Sequence, residues 1–407
     1  MDPALRKVLD WVAGQSTTMI GLTEQWAAIN SGSYNLVGLR TMRAALAEAF
    51  APLGGVAEVI ALSPITQINA LGETVDVPMA EALSIVKHPY APLQVLLVGH
   101  MDTVYGIDHP FQVSKKRDDS VLHGPGVADL KGGLAVMLHA LLALEQSPWA
   151  GQLGWQVLLN PDEEIGSVAS DPLLKRAAVG KHLGLVYEPA LADGTLAGAR
   201  KGSGNFSIVV RGRAAHAGRN PGDGRNAIVA AAEITQAVFA LNGQREGVTI
   251  NPGKIEGGGA LNVVPELAIL RCNVRTAQPA DEAWVMEALH TILAPIRARE
   301  GYGAEINGQF TRQPKPLAPK IQAIFDMVLA CGRELGLTLA VKPSGGCCDG
   351  NNLWKYGLPN VDTLGVRGAH IHSAQEIAYL DSFVERAQLS ALLLMRLAKG
   401  ELNIPSQ

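Results

Sequence analysis

The stretch Trp155-Gln-Val-Leu-Leu-Asn-Pro-Asp-Glu-Glu-Ile-Gly166 joins a short apolar run to three consecutive carboxylates. The run is rich in bulky residues and ends at an Asn-Pro pair, so the pattern predicts a buried strand followed by a turn. The carboxylates of Asp162, Glu163 and Glu164 come next and repel one another, so a group of opposite charge is needed beside them. A bound cation is the simplest such group, because carboxylate oxygens are metal ligands. A solvated acidic turn is the ordinary alternative.

The length and composition indicate a large hydrophobic core and exclude some classes of partner. The chain has 407 residues, of which 47% are hydrophobic, so it can bury a large core, and its length predicts two domains. The net charge of −4 and the pI near 6.2, without a block of basic residues, argue against a nucleic-acid partner. The amino-terminal segment is amphipathic and no apolar run has the length of a membrane span. We therefore expect neither a signal peptide nor a membrane association.

The cysteines favour an intracellular location. Cys272, Cys331, Cys347 and Cys348 do not have the spacing of a disulfide framework or of a zinc finger, and two of them are adjacent. Free thiols persist in a reducing compartment, so we expect a cytoplasmic protein.

The order of the predicted elements indicates an α/β fold with an insertion. Up to residue 196, short apolar strands alternate with helical segments, as in a mostly parallel sheet with helices on both faces. Over residues 197–313, two helical segments and about four strands at hairpin-like spacing predict an α+β unit with two helices on a four-stranded sheet. From 314 onward the α/β pattern resumes. We therefore expect one discontinuous domain, 1–196 and 314–407, that carries an inserted domain, 197–313.

Residues that can bind a metal recur at the predicted strand ends and in the loops that follow them: His100, Asp129, Glu163, Glu164 and Glu188. In open α/β sheets, ligands bind in the crevice beyond the carboxyl ends of the strands. His372, in a glycine-rich loop near the end of the chain, adds a second imidazole. Two histidines and several carboxylates are too many for one tetrahedral zinc and suit a centre of two metal ions. Single residues have ordinary alternatives: Asp129 as the cap of a following helix, and Glu188 as a turn residue before a proline.

Five motifs, in order along the chain, carry a family resemblance: Gly99-His-Met-Asp-Thr-Val104, Gly124-Pro-Gly-Val-Ala-Asp-Leu-Lys-Gly-Gly133, Asp162-Glu-Glu-Ile-Gly-Ser167, Glu188-Pro189 and His372-Ser373. With them the sequence resembles the M20 family of metallopeptidases and amidohydrolases over almost its whole length. The glutamate carboxypeptidase branch is the most similar, on the evidence of His100-Met-Asp-Thr-Val-Tyr105 and Gly212-Arg-Ala-Ala-His-Ala-Gly218.

The resemblance implies roles for the metal-binding residues. It implies two zinc ions, which cobalt or manganese could replace, with Asp129 bridging them. His100 and Glu188 would complete the coordination of one ion, and Glu164 and His372 would complete that of the other. Asp102 would orient His100, since a carboxylate partner fixes the tautomer of a liganding imidazole and raises its basicity. Glu163 would be the general base for the attacking water.

The resemblance also assigns residues of the insertion. It implies a homodimer formed through the inserted domain, in which His216 of one subunit reaches the partner's active site and stabilises the oxyanion. A helix at 226–241 is expected to expose more apolar side chains than a small domain should. Asn262 and Arg275 match positions that contact the substrate, and an arginine suits a carboxylate because its two N–H groups pair with both oxygens. A surface histidine and a surface salt bridge are the ordinary alternatives for His216 and Arg275.

The expected activity follows from these assignments. We expect a dizinc hydrolase that cleaves an amide or peptide bond next to a free carboxylate, in a short peptide or an N-acyl amino acid. A deacylase of N-acyl amino acids and a non-catalytic binding protein are the alternatives. No Gly-x-Gly-x-x-Gly follows an early strand, which disfavours a nucleotide-dependent oxidoreductase. Cys347-Cys348 and Arg200-Lys201-Gly202 depart from the expected pattern near the substrate, and we interpret the cysteines as small buried loop residues.

Overall fold

A computed structural model describes residues 1–404 of the chain. The helices are α1 (Pro3–Ala13), α2 (Ser16–Ala27), α3 (Leu36–Phe50), α4 (Lys131–Glu145), α5 (Asp171–Ala178), α6 (Ala227–Phe239), α7 (Pro279–Arg297), α8 (Pro319–Glu334), α9 (Asp349–Lys355) and α10 (Ser382–Lys399). Within these residues, no helix combines the length and the apolar character needed to cross a bilayer.

The strands within residues 1–404 belong to five sheets. They are β1 (Val56–Ile60), β2 (Ile65–Ile68), β3 (Thr74–Val77), β4 (Ala82–Lys87), β5 (Leu93–His100), β6 (Lys115–Lys116), β7 (Val121–His123), β8 (Leu153–Asn160), β9 (Leu183–Val186), β10 (Leu196–Arg200), β11 (Gly202–Arg211), β12 (Thr249–Gly257), β13 (Leu267–Thr276), β14 (Gly303–Arg312), β15 (Val341–Ser344), β16 (Asn360–Val361), β17 (Gly368–Ala369) and β18 (Ile377–Tyr379).

The central sheet has the order β1-β4-β8-β5-β9-β16. The pairs β8–β5, β5–β9 and β9–β16 are parallel, whereas β1–β4 and β4–β8 are antiparallel, so the expected mostly parallel α/β sheet is confirmed. Strands β5, β8 and β9 are mostly buried, as near-continuous apolar runs require, whereas the edge strand β1 is mostly exposed. In β5, Val95 and Leu97 pack with the helices α1–α4, α8 and α10, while Leu96 and Val98 pack against α5 and α9.

The inserted sheet has the order β12-β13-β11-β14 and is antiparallel throughout. Two helices, α6 and α7, cover one face, with Phe206, Ile208 and Leu270 in a core of their own. The predicted unit of two helices on a four-stranded sheet is therefore present. On the opposite face, Asn205 lies directly across from Asn273, and Val209 lies across from Ile269 in the β11–β13 register. Strand β10, just before this sheet, pairs in parallel with β15.

The parallel strands bring the predicted site together at one edge. Strand β5 ends at His100 and β8 ends at Asn160, and these two residues lie side by side in the parallel register. Strand β9 ends at Val186, two residues before Glu188. Parallel strands have their carboxyl ends at a common edge, so loops that are distant in sequence converge there.

Candidate active site

Asp129 lies between the two predicted histidines. Its Oδ1 is 3.2 Å from His100 Nε2, and its Oδ2 is 3.1 Å from His372 Nε2. Each imidazole has a glutamate beside it: Glu188 Oε1 is 3.9 Å from His100 Nε2, and Glu164 Oε2 is 3.1 Å from His372 Nε2. One carboxylate therefore joins two imidazole–glutamate pairs that come from well-separated loops.

The donor atoms of this cluster are close enough to share metal ions. Ligand atoms of His100, Glu163 and Glu188 lie within 4.8 Å of one another, and so do those of His100, Asp129 and Glu164. These groups differ from the ligand sets expected from the resemblance: they include Glu163, the expected base, and they place Glu164 with His100 and not with His372. The structure thus brings all the predicted imidazole and carboxylate ligands into one cluster.

The charges of the cluster fit a set of divalent cations. Burial, and after it the negative charge of Asp129, raise the pKa of Glu164 to about 8. Burial, then Glu163 and Asp129, hold the pKa of Glu188 well above its ordinary value, and Glu188 Oε1 is buried without a hydrogen-bond partner in the described chain. Hydrogen bonds to Asp129 and Glu164 raise the pKa of His372 to about 11. Buried carboxylates that repel one another are stable when a cation neutralises them, and oxygen and imidazole donors suit zinc, cobalt or manganese.

Asp102 organises the start of the acidic turn. Its Oδ1 and Oδ2 accept the backbone N–H groups of Glu163 and Glu164, both at 3.1 Å, and Oδ2 accepts the hydroxyl of Ser33 at 2.7 Å. His100 Nδ1 lies 3.0 Å from the backbone carbonyl of Asp102 and 3.4 Å from its Oδ1. Asp102 therefore holds the His100 ring and the two glutamates in one arrangement.

Asp162 has a structural part in the same turn. It is buried and accepts the hydroxyl of Ser170 at 2.6 Å and the backbone N–H of Ala169 at 2.8 Å. Burial raises its pKa to about 7. The first of the three consecutive carboxylates thus closes the turn, and the next two, Glu163 and Glu164, face the cluster.

Glu163 is tied to an arginine that the sequence analysis missed. Arg312 Nη2 donates to Glu163 Oε1 at 2.7 Å, and Arg312 Nη1 donates to Asp349 Oδ1 at 3.0 Å. Burial raises the pKa of Glu163, and the charge of Arg312 works in the opposite direction. Arg312 is the last residue of β14, so the inserted sheet helps to position this carboxylate.

Glu376 is the second missed residue. It is buried and accepts the backbone N–H groups of Gly126, Ala128 and Asp129 at 3.0–3.1 Å, as well as the Tyr105 hydroxyl at 2.8 Å. These bonds hold the loop that presents Asp129. A single glutamate or arginine in a loop or at a strand end carries no distinguishing local pattern, so neither Arg312 nor Glu376 was identifiable from the sequence.

A cavity of about 620 Å³ opens in front of the cluster, and Arg275 lies on its wall. Arg275 Nε donates to Asn273 Oδ1 at 2.9 Å, and Nη1 donates to Cys347 Sγ at 3.0 Å. Cys347 is only partly buried and contacts a predicted substrate-binding residue on the cavity wall, so the expectation of a buried loop residue is wrong for Cys347. Cys348 is buried and caps α9 by accepting the backbone N–H of Gly350.

His216 and Asn262 lie outside this cavity in the single chain. They are neighbours, because the backbone N–H of Ala217 donates to the Asn262 carbonyl at 2.9 Å, and both side chains are exposed. The His216 Nδ1 accepts the backbone N–H groups of Gly218 and Arg219 at 3.1 and 3.2 Å. Within one chain, the structure thus does not bring these two predicted residues to the cluster.

Exposed apolar side chains lie next to Asn262 in the chain and on α6. Leu261, next to Asn262, is 100% exposed and Val263 is 43% exposed. On α6, Phe239 is 63% exposed and Val229 is 53% exposed, whereas Ile234 is buried. The apolar surface expected on this helix is present in part, since its inward positions belong to the core of the insertion.

Comparison with known proteins gives consistent results. The sequence pattern of peptidase family M20/M25/M40 matches residues 96–396. Carboxypeptidase G2 of Pseudomonas sp. (strain RS-16) is 31% identical over 320 residues, which are 75% of this chain and 74% of that protein. A tripeptidase structure from Staphylococcus aureus has a TM-score of 0.74 at 22% identity, over 94% of this chain and 99% of that chain. The Bacillus subtilis YXEP protein, described as a dinuclear metal-binding peptidase of the M20 family, has a TM-score of 0.62 at 15% identity, over 95% and 99% of the two chains.

The fold and the match define a hydrolase of the metallopeptidase class that acts on amide bonds. The chain belongs to peptidase family M20/M25/M40. The resemblance given by the five motifs is therefore confirmed, and the alternative of a non-catalytic binding protein is set aside.

Proposed function

We propose that this hydrolase uses two zinc ions to cleave an amide or peptide bond next to a free carboxylate. The observation that carries the proposal is the Asp129 carboxylate, which has one imidazole at each oxygen. Asp129 would be shared by the two ions. His100 and Glu188 would hold one ion, and Glu164 and His372 the other. Such ions act as Lewis acids that polarise the scissile carbonyl and activate water.

Glu163 acts as the general base in this proposal. It takes the proton of the attacking water and passes it to the leaving nitrogen. Its pKa is raised by burial, which strengthens it as a proton acceptor, and Arg312 keeps its carboxylate in place. Its position next to Glu164 in the chain lets one carboxylate bind metal while its neighbour stays near the water.

Arg275 binds the free carboxylate of the substrate in this proposal. Asn273 and Cys347 hold two of its nitrogen atoms, which fixes the direction of the guanidinium group in the cavity. An ordered guanidinium loses less conformational entropy when it pairs with a carboxylate. The name of the carboxypeptidase G2 relative supports a carboxypeptidase, and a deacylase of N-acyl amino acids is the second candidate. The two activities differ in which side of the amide the site recognises.

The inserted unit serves dimerisation in this proposal, and the discontinuous unit 1–196 with 314–407 serves catalysis. The exposed apolar side chains of α6 and of the loop that carries Asn262 favour a homodimer through residues 197–313. His216 then stabilises the oxyanion in the partner's site, and Asn262 contacts the substrate beside it. The four cysteines are free thiols, which suits a protein of the cytoplasm.

The experiment that tests this proposal is a hydrolysis screen. Zinc-loaded and cobalt-loaded protein is incubated with N-acyl amino acids, dipeptides and folate-like conjugates, and the release of amino acid is measured. We expect cleavage only of substrates with a free carboxylate beside the amide, and preference within the panel separates the peptidase from the deacylase. Equal cleavage of the matching carboxamides would contradict the role of Arg275.

A further inference from the structure

The chain makes a long detour between two adjacent strands. Strands β1 and β4 are antiparallel neighbours, and Ile60 lies directly opposite Ala82 in their register. A tight turn would suffice to connect them. Instead, residues 61–81 leave the central sheet and form the β2–β3 hairpin before they return.

The hairpin is attached to the inserted sheet. Arg271 Nη2 donates to the Ile68 carbonyl at 2.9 Å, and Arg211 Nη2 donates to the Gly72 carbonyl at 2.8 Å. Gly72 has a φ of 70°, and a Cβ there would lie 2.9 Å from Val209 Cγ1, so only glycine allows this close approach. The hairpin therefore spans the gap between the central sheet and the inserted sheet.

A cavity of about 1010 Å³ lies beneath this span, which we call the hairpin chamber. The hairpin, α5 and the strands β11, β13 and β14 bound it. Its walls continue into those of the catalytic cavity, since both are lined by Glu164, Ile165, Asn205, Asn273 and Thr311. Its volume is at the upper end of the range of about 300–1,000 Å³ that small-molecule sites occupy.

The positions of the catalytic groups indicate which part of a substrate faces the chamber. Glu163 and Arg275 line only the catalytic cavity, whereas Glu164 lines both cavities. In the proposed function, Glu163 protonates the leaving nitrogen and Arg275 binds the carboxylate, so the leaving amino acid occupies the catalytic cavity. The acyl side of the amide then points away from Glu163, towards the Glu164 side, where the chamber begins.

The lining of the chamber indicates the chemistry of that acyl group. Apolar side chains such as Leu62, Ile65 and Leu173 alternate with neutral polar ones, and Glu164 at the inner end is its only carboxylate among the residues that the structure describes. Two cations, Lys254 and Arg271, are paired with Glu256 outside the lining. Arg176, also on the wall, is in no ion pair within residues 1–404. The charges of the lining therefore favour a neutral or anionic acyl group over a cationic one.

We propose that the hairpin chamber binds the acyl arm of the substrate, and that this arm is bulky, partly apolar and neutral or anionic. This assignment rests on the proposed function. It deepens that function, because it separates a hydrolase of aryl-acyl or peptidyl-acyl amino acids from one of acetylated amino acids.

The test compares N-acetyl, N-benzoyl and N-(benzoylglycyl) derivatives of L-glutamate, or of another L-amino acid that the screen identifies. For the wild type, we expect kcat/KM to rise at least about tenfold from the acetyl to the benzoylglycyl derivative, equivalent to about 1.4 kcal/mol. In a shortened variant, residues 63–78 are replaced by a Gly-Ser linker. This variant should lose the rise in kcat/KM from the acetyl to the benzoylglycyl derivative. It should still cleave the acetyl derivative, because the β1–β4 pairing and the buried Met79 and Ala80 remain.

A point variant gives a second test that does not depend on the folding of the shortened protein. Gln309 is exposed on the chamber wall, and Gln309→Trp should fill the chamber and abolish the gain. Glu305→Trp, on the same strand but outside the chamber, is the matched control and should keep it. Calorimetric titration of the metal-free proteins with N-benzoylglycine gives a readout without turnover, and we expect weaker binding to Gln309→Trp than to Glu305→Trp.

The outcomes separate this assignment from the proposed function. If the acetyl derivative is cleaved as well as the benzoylglycyl derivative, or if both chamber variants keep the gain, the chamber assignment is wrong and the proposed function stands. If the loaded wild type cleaves none of the derivatives and no member of the screen, the proposed function is wrong and the chamber assignment falls with it.

Discussion

Arg312 donates to Glu163 at 2.7 Å, and this contact joins the proposed general base to the inserted sheet. Both side chains are almost fully buried, with 2% and 11% of their surfaces exposed. A buried ion pair fixes geometry more than it adds stability, because removing two charges from water offsets most of their attraction. Both the catalytic part and the inserted part of the chain therefore fix the direction of the Glu163 carboxylate.

Replacing this arginine should affect both stability and turnover. Arg312→Ala leaves Asp349 and Glu163 buried without their partner, and we expect the free energy of unfolding to fall by about 3–5 kcal/mol. Arg312→Lys keeps the charge but not the planar fork, so its kcat should lie between those of the wild type and the alanine variant. Urea unfolding and steady-state kinetics measure the two effects.

The control for this arginine is Arg299→Ala. Arg299 pairs with Glu233 at the surface, where solvent screens the charges, so its loss should leave the free energy of unfolding nearly unchanged. Equal destabilisation by Arg312→Ala and Arg299→Ala would refute the structural importance of the buried pair.

Glu163→Gln should separate metal binding from catalysis. The substitution keeps the shape of the side chain and removes its ability to accept a proton, so we expect kcat to fall by about 10²–10⁴-fold. Metal content, measured by elemental analysis, should stay at the wild-type value. Glu305→Gln, an exposed change in β14, serves as the matched control. Near-normal turnover by Glu163→Gln would mean that another group is the base.

Asp129→Asn should disrupt the metal centre as a whole. Asp129 contacts both histidines, so the loss of its charge weakens both proposed ion positions at once. Elemental analysis after dialysis should give about two zinc ions per chain for the wild type and less than one for the variant. Asp119→Asn, in an exposed loop, is the control. Unchanged zinc content in Asp129→Asn would contradict the shared-ligand role.

Subunit mixing tests the role of His216 in the partner's site. Homodimers of Glu163→Gln and of His216→Ala should each be nearly inactive. A mixed dimer has one site with an intact base and an intact histidine, so partial activity should return on mixing. Mass spectrometry establishes whether mixed dimers form. If they form and no activity returns, His216 does not act in trans.

The stability of the protein should depend on pH through Asp362. Burial raises the pKa of this carboxyl, but Arg200 and Lys315 outweigh that effect and lower it from 3.8 to about 2. Because the folded-state pKa is the lower one, the stabilisation is present above pH 3.8 and is lost as the pH falls towards 2. Unfolding free energies should therefore fall over this interval in the wild type and fall less in Asp362→Asn. An identical pH dependence of the two proteins would exclude this contribution.

The sequence alone predicted the fold class and the residues of the candidate metal-binding cluster. Apolar strands end at or just before His100, Glu163 and Glu188, and parallel strands place their carboxyl ends at one edge. The changed pattern over residues 197–313 likewise encodes an antiparallel sheet with two helices. These features are local, because burial periodicity and turn residues act over a few neighbours in the chain.

The tertiary structure decided how those residues are supported and what surrounds them. Arg312 reaches Glu163 from 149 positions away in the chain, and Glu376 reaches the Asp129 N–H from 247 positions away. The hairpin chamber likewise exists only because residues 61–81 meet the inserted sheet. No local pattern encodes such contacts, since a charged side chain in a loop suits solvent as well as a buried partner, and only the packing of distant elements selects between them.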